Sequence, residues 1–369
     1  MRQLHAQDIE DIAVGAALLG TGGGGDPHVG KLMALQAIEE SGPVDLVDVS
    51  EVPDEGLIVP LAMMGAPTVL VEKVPNGEEF PRVFEALKNY LGKPVFATMP
   101  IEAGGVNSMI PLASAAKLRI PVIDADGMGR AFPELQMVTF HLAGASATPM
   151  VMTDEKGNLV LFSTISNHWT EALARSATVV MGGSAMIAIY PLTGRQVKDA
   201  AIGGIVTLAQ RIGEAIRRSR IESRDPLAAV LEVTGGLRLF KGKIVDVSRK
   251  TAGGFVRGEA LFEGIDDYRG KTLRLQFQNE NLIAVSNGRV LASVPDLITV
   301  LDAETAKPVT TETLKYGYRA IVIGIPCNAR WRTPKGIETV GPRYFGYDID
   351  YVPIEERVSR EWAKGGEPA

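Results

Sequence analysis

The spacing of apolar residues predicts two helices near the start of the chain, separated by a run of glycines. Apolar positions repeat at helical spacing over residues 9–19, and a second helical stretch covers residues 27–40. Asp26 is a good N-cap residue, and Pro27 suits the first position of a helix. The glycine run, residues 20–25, therefore leads directly into the start of the second helix.

Strands that end in polar, glycine-rich loops alternate with helices over the next hundred residues. Apolar runs at 57–64, 94–99 and 120–123 predict buried strands, whereas residues 78–91 and 108–118 predict helices. This alternation is typical of an α/β domain with a mostly parallel sheet, which we expect to form a three-layer α/β sandwich. Ligands of such domains bind beyond the carboxyl ends of the strands, so the polar residues found there are candidate site residues.

The pattern changes after about residue 233. Before it, a hairpin is expected at 150–162, a helix at 167–180, and a helical region at 193–220 that is interrupted near Gly203. Beyond it, short β-type segments recur about every ten residues, which predicts a small all-β, barrel-like domain. The first of these segments are 237–241 and 243–247, and a last strand is expected at 344–352.

We therefore divide the chain into an α/β domain at 1–233 and a mainly β domain at 234–369. The end segment, 312–360, is expected to pack back on the first domain. Its aromatic and arginine-rich part, 331–348, suits either a lid or an oligomer contact.

The composition of the chain argues against several classes of function. The 369 residues carry a formal net charge of −6, so the chain lacks the basic character of a nucleic-acid-binding protein. No apolar run reaches the length of a membrane span, and no signal peptide precedes the first helix. With Cys327 as the single cysteine, an intrachain disulfide is excluded, and a reducing cytoplasm is the expected compartment. A small-molecule enzyme that forms a homo-oligomer is the general expectation.

The glycine run offers bare N–H groups beside a helix start, which suits an anion or the polar edge of a ring. The alternative is a flexible loop. The glycine run is not a P-loop, because no Gly-Lys-Ser/Thr sequence follows it. It also does not match a dinucleotide-binding fingerprint, because no strand is predicted before it. The predicted substrate-binding residues here are Thr21, Gly22, Gly23, Gly24 and Gly25.

Carboxylates follow two neighbouring strands. Asp124 and Asp126 lie two residues apart, and Glu102 ends the strand before them. Closely spaced carboxylates raise one another's pKa or attract a cation, so the three are candidates for acid–base catalysis or metal binding. The alternative is that one aspartate caps the next helix and the other faces water. Asn107 is either a substrate-binding residue or a helix cap.

Four further residues have two interpretations each. Arg130 and Glu134 either pair with each other or bind a carboxylate and an amide of the substrate. His141, in an apolar setting, is either a hydrogen-bonded core residue or a ligand, with Asp126, of a divalent metal such as zinc. Such a site would need ligands from distant parts of the chain, because no two histidines have ligand spacing. Cys327 is either a nucleophile or a small buried residue.

Three motifs together resemble the S-methyl thiohydantoin desulfurase-like family, and the resemblance covers essentially the whole chain. The motifs are GTGGGGDP at 20–27, EAGGVN at 102–107 and DADGMGRAFPE at 124–134. The resemblance implies an α/β sandwich followed by a small β-barrel domain. It also implies chemistry on a five-membered cyclic imide or its thio analogue, and an association with hydantoinase/oxoprolinase-type proteins.

Three functions are open at this point. The first is a hydrolase in which Asp124 or Asp126 activates water, directly or through a metal, to attack the ring carbon that bears sulfur. The second is an accessory or binding subunit of a hydantoinase-like complex, which the absence of a compact catalytic motif favours. The third is a nucleotide- or sugar-phosphate-binding enzyme, and the lack of a phosphate-binding lysine counts against it.

Overall fold

The computed structural model describes residues 1–65, 69, 73, 77–252 and 255–363. Helical turns of the 3-10 type lie at Val49–Glu51, Asp266–Tyr268, Ala329–Arg332 and Pro342–Phe345. The α-helices are α1 Ala6–Leu19, α2 Pro27–Ser41, α3 Glu79–Leu91, α4 Met109–Leu118, α5 Thr139–Leu142, α6 Asn167–Val180, α7 Gly194–Ala200, α8 Ile205–Ile221, α9 Pro226–Thr234, α10 Pro334–Val340 and α11 Ile354–Ala363. Over the described ranges, no helix is both long and apolar enough to cross a membrane.

The strands fall into short elements in the first part of the chain and longer ones after residue 236. The former are β1 Arg2–Leu4, β2 Val44–Val47, β3 Leu57–Ile58, β4 Leu61–Gly65, β5 Val95–Ala97, β6 Val122–Ile123, β7 Ala125–Asp126, β8 Met150–Thr153, β9 Leu159–Phe162, β10 Ser184–Ala188, β11 Leu192–Thr193 and β12 Ile202–Gly203. The latter are β13 Leu237–Ala252, β14 Phe255–Gly264, β15 Thr272–Gln278, β16 Glu280–Ser286, β17 Arg289–Ser293, β18 Leu297–Asp302, β19 Pro308–Val309 and β20 Arg319–Ile325.

Local signals in the sequence locate most of the helices correctly. Helices α1 and α2 flank the glycine run as predicted, and α6 covers the predicted residues 167–180. Asp26 caps α2 by accepting a 2.8 Å hydrogen bond from the His28 N–H. Gly92 ends α3 in the left-handed conformation that a helix stop requires. The predicted break near Gly203 is also present, because β12 separates α7 from α8.

The α/β class is confirmed, but the predicted mostly parallel sheet is not. Parallel pairing joins β2 to β6 and β3 to β5, and isolated parallel bridges link Leu61 to Pro100 and Thr98 to Val122. The strands β4, β10, β8 and β9 instead form an antiparallel sheet in that order. Strand β4 pairs with β10, which lies more than one hundred residues later in the chain. Hydrophobic periodicity predicts where strands lie but not which strands pair, so it could not predict this partner.

Parallel pairing does bring the two polar loops to one edge. Strand β5 lies beside β6 through the Thr98–Val122 bridge, so the loops after them leave the sheet together. The Gly127 N–H donates a 3.0 Å hydrogen bond to the Ile101 carbonyl, which joins the loops directly. The polar residues that follow these two strands therefore lie at the same edge of the sheet.

The later strands form one antiparallel sheet in the order β17-β16-β15-β14-β13-β20-β18-β19. The sheet curls until β16 reaches β18, where the Asn281 side chain donates a 2.8 Å hydrogen bond to the Ile298 carbonyl. The predicted break between 237–241 and 243–247 is wrong, because β13 continues through Gly242. That glycine pairs with Gly264 on one side and with Ala320 on the other.

The strand predicted at 344–352 is also wrong. The Tyr347 N–H turns back to donate to the Pro342 carbonyl, and Arg343 pairs with Asp348 at 2.7 Å and with Asp350 at 3.1 Å. These local contacts hold the segment curled, so its backbone is not extended. The first two residues of the predicted strand, Tyr344 and Phe345, belong instead to a 3-10 turn at Pro342–Phe345.

Two glycines let helices α1 and α8 touch backbone to backbone. A Cβ added to Gly15 would lie 1.8 Å from the Ala209 carbonyl oxygen, and one added to Gly213 would lie 2.0 Å from that of Asp11. No side chain fits these positions unless the helices separate. This contact places α8 directly beside the helix that precedes the glycine run.

We expect Gly15→Ala to lower the free energy of unfolding by about 2 kcal/mol or more, because the helices must move apart to admit the methyl group. Urea unfolding followed by circular dichroism measures the change. Gly203→Ala is the matched control, since its Cβ would meet only Val49 at an ordinary 3.5 Å. A Gly15→Ala protein as stable as Gly203→Ala would contradict the close helix contact.

Candidate functional site

A pocket lies where the glycine run, the two motif loops and the C-terminal sheet meet. It encloses about 610 Å³ of space between protein atoms, its solvent-facing mouth included. Its polar and charged lining consists of Glu102, Asn107, Glu134, Arg175, Asn279 and Glu280, and its apolar lining includes Met63, Met64, Ile101, Met128, Phe132, Leu135 and Ile187.

The glycine run forms one wall by packing against the 102–107 loop without side chains between them. A Cβ added to Gly24 would lie 2.5 Å from the Gly104 Cα, and one added to Gly105 would lie 2.1 Å from the Gly25 carbonyl oxygen. The Val106 N–H donates a 2.8 Å hydrogen bond to the Gly24 carbonyl. The glycines therefore serve close backbone packing, and Gly24 and Gly25 also line the pocket.

The first residues of the run contact the C-terminal sheet. The Asn281 N–H donates to the Thr21 carbonyl and the Thr311 N–H donates to the Gly22 carbonyl, each at 2.8 Å. A Cβ on Gly23 would lie 2.1 Å from a carboxyl oxygen of Glu280. Glycine at position 23 is thus what leaves room for that side chain.

Glu102 is held at the pocket by two donors. The Asn107 amide donates a 2.7 Å hydrogen bond to one carboxyl oxygen, and the Phe132 N–H donates a 3.2 Å bond to the other. Asn107 also binds the Met63 backbone, accepting from its N–H at 2.8 Å and donating to its carbonyl at 3.3 Å. Asn107 therefore fixes Glu102 relative to β4 and is not a simple helix cap.

Glu280 faces the same pocket from β16 and is nearly fully buried. Among the described residues, its Oε2 atom has no hydrogen-bond partner. Glu280 was not predicted from the sequence, because it lies in the polar run Gln278-Asn279-Glu280-Asn281 between two β segments. A polar run in that position usually forms a hairpin turn. All four of these polar residues are buried, which a sequence does not reveal.

The pKa values of the two glutamates are both raised. Burial raises the pKa of Glu102 to about 7, against the pull of its hydrogen bonds from Asn107 and Phe132. Burial also raises the pKa of Glu280 well above its usual range, and the nearby Glu102 charge raises it further. Two neighbouring carboxyls with displaced pKa values are the usual arrangement of an acid–base pair.

Glu134 lies at the rim of the pocket. It accepts a 2.6 Å hydrogen bond from the Tyr344 hydroxyl and another from the Gln136 amide. The Glu134 carboxylate and burial both raise the pKa of Tyr344. Glu134 and Arg130 do not pair with each other, which was one of the two interpretations of these residues, since each has other partners.

Family models match nearly the whole chain. A model described as the S-Me-THD-like N-terminal domain matches residues 7–164, and one described as the S-Me-THD-like C-terminal domain matches residues 165–354. The chain belongs to the S-Me-THD-like family. This confirms the resemblance carried by the three motifs. The models meet at residue 164, whereas our division at 233 falls just before the large sheet and stays a prediction.

One solved structure supports the fold of this S-Me-THD-like chain. It is an X-ray crystal structure of a protein from Chromobacterium violaceum, similar at a TM-score of 0.80 and 23% sequence identity. The match covers 96% of this chain and 100% of that chain. No match was found among curated proteins.

Arg130 of the third motif is fully buried, and its guanidinium donates all five of its N–H groups to the protein. The acceptors are the carbonyls of Ala131, Pro295, Asp296 and Asn281 and the hydroxyl of Thr21, at 2.9–3.3 Å. Burial lowers the pKa of Arg130 to about 10. The predicted role in substrate binding is not supported, because no donor remains for a ligand.

The two aspartates of the third motif bind backbone, not the pocket. Asp124 caps helix α8 by accepting from the N–H groups of Val206 and Thr207 at 2.9 and 3.0 Å. Asp126 is fully buried and accepts from the N–H groups of Met128 and Gly129. Neither lines the pocket, so the structure lends no support to the predicted catalytic roles of Asp124 and Asp126.

The predicted metal ligands have other partners as well. The His141 Nδ1 atom lies 3.0 Å from the Asn167 amide nitrogen, and its ring meets the His168 ring edge-on at 5.8 Å. Asp126 is occupied by backbone donors. Across the described ranges, no group of three or more His, Cys, Asp and Glu side chains is placed to hold a metal ion. These residues do not fit a zinc site.

The end segment contacts the third motif. Trp331 is fully buried, donates a 2.7 Å hydrogen bond to the Met128 carbonyl and packs its ring against Phe132 at 5.1 Å. Cys327, on the same segment, is also buried, and burial together with Asp296 raises the pKa of its thiol to about 12. A thiol so rarely ionised suits a small buried residue and not a nucleophile.

We expect Arg130→Lys to lower the free energy of unfolding by about 3 kcal/mol or more. Lysine has three donors and no planar fork, so buried carbonyls of the C-terminal sheet lose their partners. Chemical denaturation measures the loss. Arg343→Lys, at an exposed arginine paired with Asp348 and Asp350, should change stability by less than about 1 kcal/mol. Equal effects in the two variants would contradict the role of Arg130.

We also expect Glu280→Gln to gain stability relative to wild type as the pH rises from 5 to 8. The folded-state pKa of Glu280 is raised, so the native protein holds a proton that the unfolded chain releases above its ordinary pKa. Wild type therefore loses about 1.4 kcal/mol for each pKa unit of that elevation as the pH rises through the window.

Thermal unfolding of both proteins across this pH range measures the difference. Glu355→Gln is the control, because Arg332 lowers the pKa of Glu355 and its titration falls below the window. Curves for wild type and Glu280→Gln that stay parallel between pH 5 and 8 would show that Glu280 has an ordinary pKa.

Proposed function

We propose that this protein is a hydrolase that acts on a hydantoin-like five-membered cyclic imide or its S-methyl thio analogue, with Glu102 and Glu280 as its acid–base pair. The observation that carries the proposal is the pair itself: two buried carboxyls of raised pKa that face one pocket, one of them with an unpartnered oxygen. The family supplies the class of ring.

The surroundings of the two glutamates give them different roles. Glu102 accepts two hydrogen bonds, which stabilise its ionised form, and its pKa of about 7 suits a general base at neutral pH. Among the described residues, no side chain donates a hydrogen bond to Glu280, and burial raises its pKa well above its usual range, so Glu280 suits a general acid. Removal of a proton by one carboxyl and donation by the other follow from this difference.

The reaction on the thio analogue then balances as a simple hydrolysis. Glu102 takes a proton from water while the water oxygen bonds to the ring carbon that bears the methylthio group. Glu102 passes this proton to the adjacent ring nitrogen, which leaves a neutral tetrahedral carbon that bears a hydroxyl group and the methylthio group. The carbon–sulfur bond then breaks as Glu280 protonates the leaving sulfur, and the hydroxyl proton moves to Glu280 as the carbonyl forms. The products are the cyclic imide and methanethiol, with one water proton on nitrogen and the other on sulfur.

The glycine wall supplies donors for the ring. Among the described residues, the N–H groups of Gly24 and Gly25 have no protein acceptor, and both glycines line the pocket. Fixed backbone donors of this kind stabilise negative charge that develops on a substrate oxygen or nitrogen. Thr21, Gly22 and Gly23 support this wall through their contacts with the C-terminal sheet. No step is assigned to Asp124, Asp126 or a metal.

A second candidate is an accessory subunit of a hydantoinase-like complex, and the outer face of α6 favours it. Trp169, Leu173 and Val180 lie 53%, 46% and 88% exposed on this helix. Its two charged residues, Glu171 and Arg175, are buried or nearly so and pair with each other at 2.7 Å. An uncharged apolar face of this size suits a partner protein. Copurification with a hydantoinase-like partner, together with no turnover by the chain alone, would favour this candidate.

The decisive test is methanethiol release from an S-methyl thiohydantoin by the purified protein. We expect release whose rate rises with pH through about 7, as Glu102 ionises. Glu102→Gln and Glu280→Gln should each lower kcat by about 10²- to 10⁴-fold, the usual contribution of a general acid or base. A thiol-reactive dye follows the reaction.

Glu312→Gln is the matched control. Glu312 is also a buried glutamate with a raised pKa, but it does not line the pocket. Its variant should retain wild-type turnover. Full activity in Glu102→Gln, or equal losses in all three variants, would remove the glutamate pair from the mechanism.

A further inference from the structure

Exposed apolar side chains are concentrated on one short part of the chain. Of the thirteen large hydrophobic side chains that are exposed in the described ranges, seven lie between residues 159 and 180. Five of these lie on the outer side of helix α6 or shortly before it, and we call this surface the α6 face: Ile165, Trp169, Leu173, Val179 and Val180. Such a concentration of apolar surface is typical of a protein interface.

The α6 face has no acidic residue, lysine or arginine among its exposed positions. Between the apolar residues of this fully described helix, the other exposed positions are His168, Ala172 and Ser176. The Ser176 hydroxyl donates a 2.9 Å hydrogen bond to the Ala172 carbonyl, so it keeps a partner when water is removed. The face can therefore be covered without burying a charge or breaking this hydroxyl's hydrogen bond.

The fold prevents α6 from hiding this face within one molecule. On the other side of the helix, the Glu171 carboxylate accepts a 3.0 Å hydrogen bond from the Leu135 N–H. Arg175 donates a 2.8 Å bond to the Pro133 carbonyl. Because these bonds join α6 to the end of the third motif, the helix cannot rotate, and only a second molecule can cover the α6 face.

The size and the symmetry of the α6 face fit a second copy of this chain. Its five apolar residues expose on the order of 600 Å² per copy, so two copies would bury about 1,200 Å², which reaches the range of specific interfaces. A two-fold axis across the helix would pack α6 antiparallel to its copy, with Trp169 of one helix near Val180 of the other. Ala172 and Ser176 lie between these ends and are small, which lets the two helices approach closely.

The charge of the chain also favours a copy at this face. Each chain carries a net charge of −6, so two copies repel each other over most of their surface, and an uncharged face is where they approach at least cost. A partner recognised by its charge would need complementary charges, which the α6 face lacks.

We propose that two copies of this chain form a two-fold dimer through the α6 face, with their α6 helices antiparallel. The inference does not depend on the proposed hydrolase activity. It assigns the α6 face to a second copy and not to a hydantoinase-like partner.

Sedimentation-velocity ultracentrifugation of the purified full chain tests the dimer. Wild type should sediment as a dimer at micromolar concentration. Leu173→Lys/Val180→Lys places two like charges on each copy of the face and should sediment as a monomer. Both positions are exposed, so this variant should keep the wild-type circular dichroism spectrum.

Leu32→Lys/Ile221→Lys is the matched control. It adds the same two charges at exposed apolar positions of α2 and α8, and Ile221, like Val180, is the last residue of its helix. This variant should remain a dimer. A dimeric Leu173→Lys/Val180→Lys protein, or equal dissociation of both double variants, would overturn the inference. So would a monomeric wild type, which would leave the α6 face to another partner.

Cross-linking tests which surface forms the dimer. The single native cysteine, Cys327, is buried, so a cysteine introduced at the surface supplies the reactive thiol. Mild oxidation of Ser176→Cys should join two copies through a disulfide, because this position lies near the two-fold axis. Leu32→Cys should form no such product on a non-reducing gel. A dimeric Ser176→Cys protein that does not cross-link, or equal cross-linking of both variants, would contradict the antiparallel α6 interface.

Discussion

The structure depends on a buried positive charge that has no solvent to stabilise it. The Arg130 guanidinium must find five acceptors inside the protein, and it finds them on three separate parts of the chain: its own loop, Thr21 at the glycine run, and carbonyls of the C-terminal sheet. Leaving any of these bonds unmade costs free energy, so the three parts have one arrangement that satisfies the charge. That arrangement is what brings β16 against the glycine run.

The pocket is a consequence of this arrangement. Once β16 lies against the run, Glu280 enters a space that only a glycine at position 23 leaves open. The loop packing at Gly24 and Gly104 then places Glu102 beside it. Both glutamates are nearly fully buried, and burial raises both pKa values. Packing of backbone against backbone thus determines the electrostatics of the site, since side chains at the glycines would separate its two halves.

Local features of the fold were predictable from the sequence, and long-range features were not. Helix periodicity and caps located α2 and α6, because these signals lie within a few residues of each other. The site was found in part: Glu102 and Asn107 line the pocket, but Glu280 and Arg175 were missed. Asp124 and Asp126 look catalytic in sequence because paired carboxylates near strand ends bind ligands and backbone N–H groups equally well. Whether such a carboxylate binds a ligand or the backbone depends on the residues that surround it in the fold. For Asp124 these residues come from a distant segment, the start of α8.

The same reasoning explains why a protein keeps costly buried acids. Buried carboxyls of raised pKa weaken the fold near neutral pH, and burial raises the pKa of Asp126 as well, although backbone N–H groups donate to its oxygens. Glu280 differs from Asp126 in that, among the described residues, one of its oxygens has no hydrogen-bond partner. A structural glutamate would be expected to acquire a partner or give way to an apolar residue. An unsatisfied acid that lines a pocket is instead what a site needs when the missing partner is the ligand.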